Sequence, residues 1–186
     1  MTFLPDFHFG VLNAWLPFAA YIIVFGITIF SFSTEVRARL YDRSLWTKKQ
    51  IRLTVIGKLF SLTLILLFII TPLRMDSPLF WIGASLWTLG LVALVIALLN
   101  YNATPLTVPV TRGIYQISRN PQIFSIWLIF AGICLMTGAG LLLLILTVAL
   151  LFLHNSVLAE EEACIQQYGD SYKEFMGNAP RYFLVF

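Results

Sequence analysis

Two polar segments in an otherwise very apolar chain carry the residues whose types could do chemistry. Glu160, Glu161 and Glu162 directly follow a long apolar run, and helical spacing places Glu160, Cys164 and Tyr168 on one face. A carboxylate on a partly apolar face needs a positive or hydrogen-bonding partner, which a bound cation can supply. The alternative is an ordinary charge run that faces water.

The second polar segment is Asn100–Gln122. Pro105, Pro109, Pro121 and Gly113 prevent it from forming one regular helix, yet it is more apolar than an ordinary solvent-exposed loop. We expect it to fold back on the membrane face and to leave backbone groups free to hold a ligand. The alternative is an ordered connector that only caps the helices.

The composition identifies the surroundings of these segments. The 186 residues are 59% hydrophobic and 11% charged, and the mean hydropathy is +0.86. These values exclude a soluble globular enzyme, a disordered chain and a disulfide scaffold. The basic residues lie between apolar runs, so we expect a membrane partner and no nucleic acid. Cys134 and Cys164 lack metal-ligand neighbours at a familiar spacing, so no metal is expected.

The apolar runs predict an all-α fold, an integral membrane bundle of five transmembrane helices with a cytosolic C-terminal helical segment. Residues 1–186 then form a single domain. The predicted spans are about Val11–Phe32, Thr54–Leu73, Leu79–Leu99, Ile123–Met136 and Ala139–Leu158. The short link at residues 137–140 predicts a tight helical hairpin. After a stop at Gly169, a short helix is expected from Ser171 to Met176.

The lysines and arginines predict the orientation. Most lie in the loop between the first two spans, in the loop between the third and fourth spans, and in the tail, whereas Arg74 is alone on the opposite side. The positive-inside rule places the N-terminus outside and the C-terminus in the cytosol. Lys58, near the start of the second span, can snorkel to the cytosolic face. Both polar segments then share the cytosolic side.

The pieces TRGIYQISRNPQ and EEEACIQQYGDSYKEFMGNAPRY resemble the two signatures of the isoprenylcysteine carboxyl methyltransferase family. The family pattern is G-x-Y…R-H-P, then E-E-x-x-L-x-x-x-F-G-x-x-Y, then a Pro-Arg tail, with a tight helical hairpin between the signatures. The resemblance covers about Asn100 to Arg181. It implies an integral membrane methyltransferase that uses S-adenosyl-L-methionine at its cytosolic face, with three N-terminal spans in residues 1–99 and the cofactor-binding half in residues 100–186.

The resemblance also implies roles for individual residues. Glu160 matches the glutamate that binds the cofactor, and Glu161 beside it is included in the predicted cofactor site. The other predicted cofactor-binding residues are Asn100, Thr107, Val108, Pro109, Val110, Tyr115, Arg119, Asn120, Pro121, Gln122 and Ile123. Carboxylate suits an ammonium group, tyrosine and apolar side chains suit adenine, and backbone groups suit ribose and carboxylate.

The chain departs from the family at the substrate. Ser156 stands where the prenylcysteine enzymes have an arginine for the substrate carboxylate, and Asn120 replaces the histidine of R-H-P. We therefore expect weak or no activity on prenylcysteine analogues and a neutral or less acidic lipophilic acceptor from the bilayer. His154 is the candidate base, and the alternative is that it only makes an interhelical hydrogen bond. Arg181 is a candidate substrate contact, and the alternative is that it anchors the chain at the membrane interface.

The leading interpretation is therefore a membrane methyltransferase that acts on a lipophilic small molecule or lipid. Two alternatives stay open: an NADPH-dependent membrane reductase of the steroid 5α-reductase type, and a non-catalytic membrane subunit. Binding of S-adenosyl-L-methionine, of NADPH or of neither separates the three.

Overall fold

A computed structural model describes residues 2–183, and this part of the chain is all-helical. The all-α prediction is confirmed. Seven α-helices and one 3-10 turn follow in the order α1 (Trp15–Phe30), α2 (Thr34–Tyr41), α3 (Lys48–Ile70), α4 (Pro78–Asn102), the turn Gly113–Gln116, α5 (Pro121–Thr137), α6 (Gly140–Tyr168) and α7 (Asp170–Asn178).

Each predicted apolar run overlaps one helix, and all of these helices except α1 extend beyond the predicted run. Three of the helices, α3, α4 and α6, are long and apolar enough to cross a membrane, and α1 and α5 are apolar but shorter. The chain thus has the character of a multi-pass integral membrane protein, with three clear candidate spans. At 1.5 Å per residue, α6 with its 29 residues is about 43 Å long, longer than the roughly 30 Å of a bilayer core. Its C-terminal part, near Glu160, therefore extends beyond the core.

Local sequence signals determine where the helices begin. Pro78 and Pro121 occupy the first position of α4 and α5, where the missing N–H costs no hydrogen bond. Thr47 forms a capping box with Gln50 at the start of α3. The predicted hairpin between the last two apolar runs is confirmed, because α5 ends at Thr137 and α6 begins at Gly140.

Two helix pairs form the bundle, α4 with α5 and α3 with α6. Glycines allow the α4 and α5 backbones to touch: a Cβ at Gly83 would lie 2.5 Å from the Gly132 oxygen, and a Cβ at Gly132 would lie 2.5 Å from the Gly83 oxygen. In the other pair, Gly57 of α3 lies against Leu153 of α6, and the rings of Phe60 and Phe152 stack at 5.9 Å. Small residues permit such close approach within lipid, where no hydrophobic force drives helices together.

An aromatic cluster joins α1 to both pairs. Phe18 and Tyr21 of α1 pack on Phe130 of α5, and Phe18 and Phe130 also contact Phe68 of α3, with ring centroids 5.9–6.2 Å apart. Phe68 is fully buried. The cluster fixes the relative positions of the helices between which the site described below is formed.

The N-terminal segment covers one end of this bundle. Thr2 and Phe3 exchange backbone hydrogen bonds with the hairpin between α5 and α6, and His8 donates its N–H to the Ile70 carbonyl at 2.9 Å. Asn13, which is 1% exposed, donates to the carbonyls of His8 and Ile69. The opposite end is occupied by α2, the 3-10 turn and α7.

Candidate functional site

A cavity of about 550 Å³ lies at the end of the bundle that α2, the 3-10 turn and α7 cover. We call it the central cavity. Its size falls in the usual range for small-molecule sites, roughly 300–1,000 Å³. Its lining combines charged and tyrosine side chains with apolar ones. The lining includes Phe25, Arg39, Arg43, Trp46, Thr54, Lys58, Leu94, Tyr101, Val110, Tyr115, Arg119, Asn120, Pro121, Gln122, Ile123, Ile126, Trp127, Leu153, Ser156, Glu160, Cys164, Tyr168 and Tyr172.

One face of α6 forms a continuous wall of the cavity. Leu153, Ser156, Glu160, Cys164 and Tyr168 all line it, at the three- and four-residue spacing of one helix face. The shared face predicted for Glu160, Cys164 and Tyr168 is confirmed. The stripe runs from apolar and small residues within the bundle to a carboxylate and a phenol near the helix end.

Glu160 is the carboxylate of this wall. Its Oε2 lies 3.6 Å from Arg43 Nη1, and its side chain is 37% exposed. The Arg43 guanidinium in turn lies over the Trp46 ring, 4.5 Å from its centroid, and donates to the carbonyls of Leu40 and Asp42. The pair is long for a salt bridge and partly solvated, so Glu160 keeps acceptor capacity for a cationic group in the cavity.

Arg39 attaches α2 to the rest of the site. It donates hydrogen bonds to the Pro105 carbonyl at 2.9 Å and to the Tyr101 carbonyl at 3.4 Å. Its guanidinium also lies 4.2 Å from the centroid of the Tyr101 ring. Arg39 thus joins α2 to the end of α4 and to the segment that follows it, and this contact closes one side of the cavity.

The segment after α4 is an ordered structure around the 3-10 turn. Asn100 accepts the Ile114 N–H through Oδ1 at 3.1 Å. Gly113 has a φ of 62°, and a Cβ at this position would collide with the Asn100 side chain. This turn directs Tyr115 into the cavity wall, where its hydroxyl accepts from Gln122 Nε2 at 2.7 Å. Burial raises the pKa of the Tyr115 phenol, so it stays protonated and remains a donor.

Glu161 has a different role from Glu160. It is 3% exposed and points into a cluster with Arg119, Asn120 and Arg181. Its Oε1 accepts from Arg119 Nε at 3.1 Å and from Asn120 Nδ2 at 3.0 Å, and its Oε2 lies 2.9 Å from Arg181 Nη2. The hydrogen bond to Glu161 raises the pKa of Arg181 above its ordinary value. The charge of the Glu161 carboxylate is therefore balanced by two arginines of the protein.

The same cluster holds the C-terminal segment against the motif at residues 118–120. Arg119 Nη1 donates to the carbonyls of Met176 and Ala179, and its backbone N–H donates to the Pro180 carbonyl at 2.8 Å. Ser118 Oγ donates to the Arg181 carbonyl at 2.9 Å. Glu161 and Arg119 therefore fasten the tail to residues 118–120, of which Arg119 and Asn120 line the cavity.

The two predicted catalytic residues lie outside the described lining of the cavity. The His154 Nδ1 is 2.7 Å from the Tyr182 hydroxyl, which matches the hydrogen-bonding alternative, although the partner belongs to the tail instead of another span. Tyr182 packs on Trp127 at 4.8 Å, and burial raises the pKa of its phenol to about 12. Arg181 binds Glu161. Both side chains thus hold the tail in place.

The structure brings together most of the other predicted site residues. The cavity is lined by the predicted residues Val110, Tyr115, Arg119, Asn120, Pro121, Gln122, Ile123, Ser156 and Glu160. Asn100 supports the turn from behind the wall, and Glu161 supports the tail. Thr107, Val108 and Pro109 lie outside the described lining, and Thr107 and Val108 are exposed.

Sequence reasoning missed the wall formed by α2 and the loop after it. Arg39 and Arg43 were interpreted only as orientation signals, yet both line the cavity together with Trp46. The contact between Arg39 and Pro105 spans 66 residues of chain, so no local pattern indicates it. Tyr172 of α7, which lines the cavity together with Tyr168 of α6, was also missed. Within residues 2–183, no group of three metal-ligating side chains is close enough to hold a metal ion.

Comparison with known proteins agrees with this geometry. Searches against curated proteins and against solved structures gave no match. Residues 100–171 match the family model described as phospholipid methyltransferase. This segment contains the 3-10 turn, the residues 118–120, the hairpin and the Glu160 face. The resemblance predicted from the sequence is thus confirmed over residues 100–171, which match a membrane methyltransferase family related to the isoprenylcysteine carboxyl methyltransferases.

Proposed function

We propose that the protein is an integral membrane methyltransferase that binds S-adenosyl-L-methionine in the central cavity and methylates a lipophilic acceptor. The observation that carries the proposal is that the segment matching a methyltransferase family and the Glu160 face form one cavity. Methyltransferases of this family generally use S-adenosyl-L-methionine. The apolar walls of the cavity and the family description support the proposed acceptor class.

The residues present fit such a cofactor. Glu160 offers a partly free carboxylate to an ammonium group, and its long contact with Arg43 leaves room for a closer ion pair. Tyr101, Tyr115 and Tyr168 offer aromatic surface and hydroxyl groups to an adenine and a ribose. We assign Glu160 to the cofactor, and we assign the neighbouring Glu161 to the tail.

The opposite part of the lining fits an apolar acceptor. Phe25, Leu94, Ile126, Trp127 and Leu153 come from four different helices and present no charge. A lipophilic molecule that moves from the bilayer to such a surface stays in apolar surroundings, so the transfer costs little free energy. We propose that the acceptor lies between these residues, with its reacting atom toward Glu160.

When bound, the cofactor supplies a methyl group on a sulfonium, which transfers by in-line displacement. For this chain, the chemistry then requires orientation and exclusion of water. Glu160 and the Tyr115–Gln122 pair hold one reactant, the apolar wall holds the other, and the tail fastened by Glu161 supports Arg119 and Asn120 of the cavity wall. Since His154 and Arg181 hold the tail, we propose them as positioning residues.

Equilibrium binding of S-adenosyl-L-methionine to the purified chain in neutral detergent tests this proposal. Glu160→Gln should weaken binding by about 1.5–3 kcal/mol, roughly ten- to a hundredfold, because a charge-assisted hydrogen bond is lost. Glu162→Gln is the matched control, since Glu162 is exposed and bonds to Gln50. Equal effects of the two variants contradict the assignment of Glu160. Binding of NADPH instead supports the reductase alternative, and binding of neither supports the non-catalytic one.

A further inference from the structure

Lys58 is a cationic residue of the central cavity that has no ion-pair partner in the described part of the protein. Arg39, Arg43 and Arg119 also line the cavity, but each donates hydrogen bonds to carbonyl or carboxylate oxygens. Lys58 has no hydrogen bond and no salt bridge to any residue in the range 2–183, although it lies one turn after Thr54, within the apolar part of α3.

An ionisable residue inside an apolar span is rare and often marks a functional site. The sequence suggested that Lys58 could snorkel from a position one turn inside the span. In the structure α3 begins at Lys48, but its first five residues are mostly polar, so Lys58 lies about one turn into the apolar part, and its side chain is exposed. Its side chain reaches the cavity, which offers an anionic partner a place beside it.

Thr54, one helical turn before Lys58, provides an independent observation. It is 6% exposed, and its hydroxyl is buried without a hydrogen-bond partner among the described residues. Other helical threonines, such as Thr28, Thr63, Thr88 and Thr147, donate to the carbonyl four residues earlier. The Thr54 hydroxyl makes no such bond, and Thr54 also lines the cavity.

Trp46, a third residue of the lining, has the same property. Its Nε1 is buried without a partner among the described residues. Of the three buried side-chain atoms in this condition, Trp46 Nε1, Thr54 Oγ1 and Trp87 Nε1, the first two belong to residues of the central cavity. A buried donor that lacks a partner costs free energy, which an acceptor atom of a bound ligand would recover.

The antiparallel pairing of α3 with α6 places this group opposite Ser156. Gln50 hydrogen-bonds Glu162, and Gly57 packs on Leu153. Ser156 therefore lies at a level between Thr54 and Lys58, and Glu160 lies about one turn closer to the helix end. Ser156 itself brings no charge to this level, whereas α3 brings a cation and a hydroxyl at i and i+4 of one face.

We infer that Lys58 and Thr54 form a subsite for an anionic group, a phosphate or a carboxylate, on the lipophilic acceptor, away from the atom that is methylated. The assignment of this anion to a methyl acceptor rests on the proposed function, but binding of the anion can be measured independently of it. It also refines the expectation based on Ser156: the methylated group can be neutral while the same molecule carries an anion that α3 binds.

The test compares alkyl chains of one length with different head groups. Dodecyl phosphate, dodecanoate and dodecanol are titrated into the purified full chain in neutral detergent micelles, and binding is measured from the rise of the melting temperature. We expect dodecyl phosphate or dodecanoate, but not dodecanol, to stabilise the protein. The comparison of the two anions distinguishes a phosphate from a carboxylate.

Variants then locate the site. Lys58→Met should weaken binding of the preferred anion about tenfold or more, Lys58→Arg should retain most of it, and Thr54→Val should weaken it severalfold without lowering the melting temperature of the free protein. Lys49→Met, at an exposed lysine of the same helix, is the matched control. Binding that is unchanged in Lys58→Met, or reduced equally in Lys49→Met, overturns the inference.

Binding of S-adenosyl-L-methionine to the same variants separates the two proposals. Unchanged cofactor binding in Lys58→Met supports an acceptor subsite, whereas a parallel loss moves Lys58 to the cofactor and overturns it. If the wild-type chain binds the anion through Lys58 but does not bind S-adenosyl-L-methionine, the proposed function fails and the anion site stands without its assignment to an acceptor.

Discussion

At the scale of single residues, adjacent glutamates of one helix have separate tasks. Glu160 faces the cavity with a loose partner, and Glu161, turned by about 100° around α6, is buried against two arginines. The sequence placed both in the cofactor site because neighbours in a motif cannot be told apart by type. The structure distinguishes them by what lies beside each helix face, and this depends on the tail.

The first prediction concerns Glu161. Glu161→Gln should lower the free energy of unfolding by about 3 kcal/mol or more, because it leaves Arg119 buried without its counter-charge. Thermal unfolding of the purified chain without any ligand measures the effect. Glu160→Gln, which removes a partly exposed carboxylate, is the control and should cost less than about 1 kcal/mol. Equal losses in the two variants would contradict the separate roles.

At the scale of elements, hydropathy predicted the helices well because a span has to satisfy its own backbone in lipid. The hairpin was predicted from its short link, and the α6 face from its spacing. The sequence did not predict that α2 turns back over the cavity. Its Arg39 contacts depend on residues more than 60 positions away, and periodicity within one segment carries no information about such pairs.

The sequence also did not predict which helices pair, and a substitution at Gly83 tests the pairing of α4 with α5. Gly83→Ala should destabilise the protein by about 1–3 kcal/mol, because the new methyl meets the Gly132 oxygen at 2.5 Å and the Met136 nitrogen at 2.7 Å, both of which are backbone atoms. Thermal unfolding in detergent measures it.

Gly26→Ala is the matched control for Gly83→Ala. Gly26 also lies inside an apolar helix, and a Cβ there meets nothing within 4 Å. Since alanine favours helix over glycine by up to about 1 kcal/mol, the control should be neutral or slightly stabilising. If both variants behave alike, the α4–α5 pair is not held by close backbone contact.

At the scale of the whole molecule, the two ends of the bundle differ in chemistry. One end is covered by the N-terminal segment, whose backbone hydrogen bonds cover the hairpin between α5 and α6. The other carries the central cavity, the exposed basic residues of the α2–α3 region and the tail. The site therefore lies at the end that is rich in lysine and arginine, which the positive-inside rule assigns to the cytosol.

The last prediction is the orientation that follows. If all five apolar helices cross, the N-terminus lies outside, and the C-terminus lies in the cytosol together with the cavity. In intact cells, a tag before Thr2 should be accessible from outside, and a tag after the last residue should be accessible only after permeabilisation. A reversed pattern would place the cavity outside, away from a cytosolic cofactor. Two tags on the same side would mean that one of the short helices, α1 or α5, does not cross, since an odd number of crossings separates the ends.

The charge asymmetry can be tested within the same assay, because Arg74 alone marks the outer loops. Neutralising Arg74 should leave the orientation unchanged, whereas neutralising Lys48, Lys49 and Arg52 together should produce a mixed population if these cations hold the first loop in the cytosol.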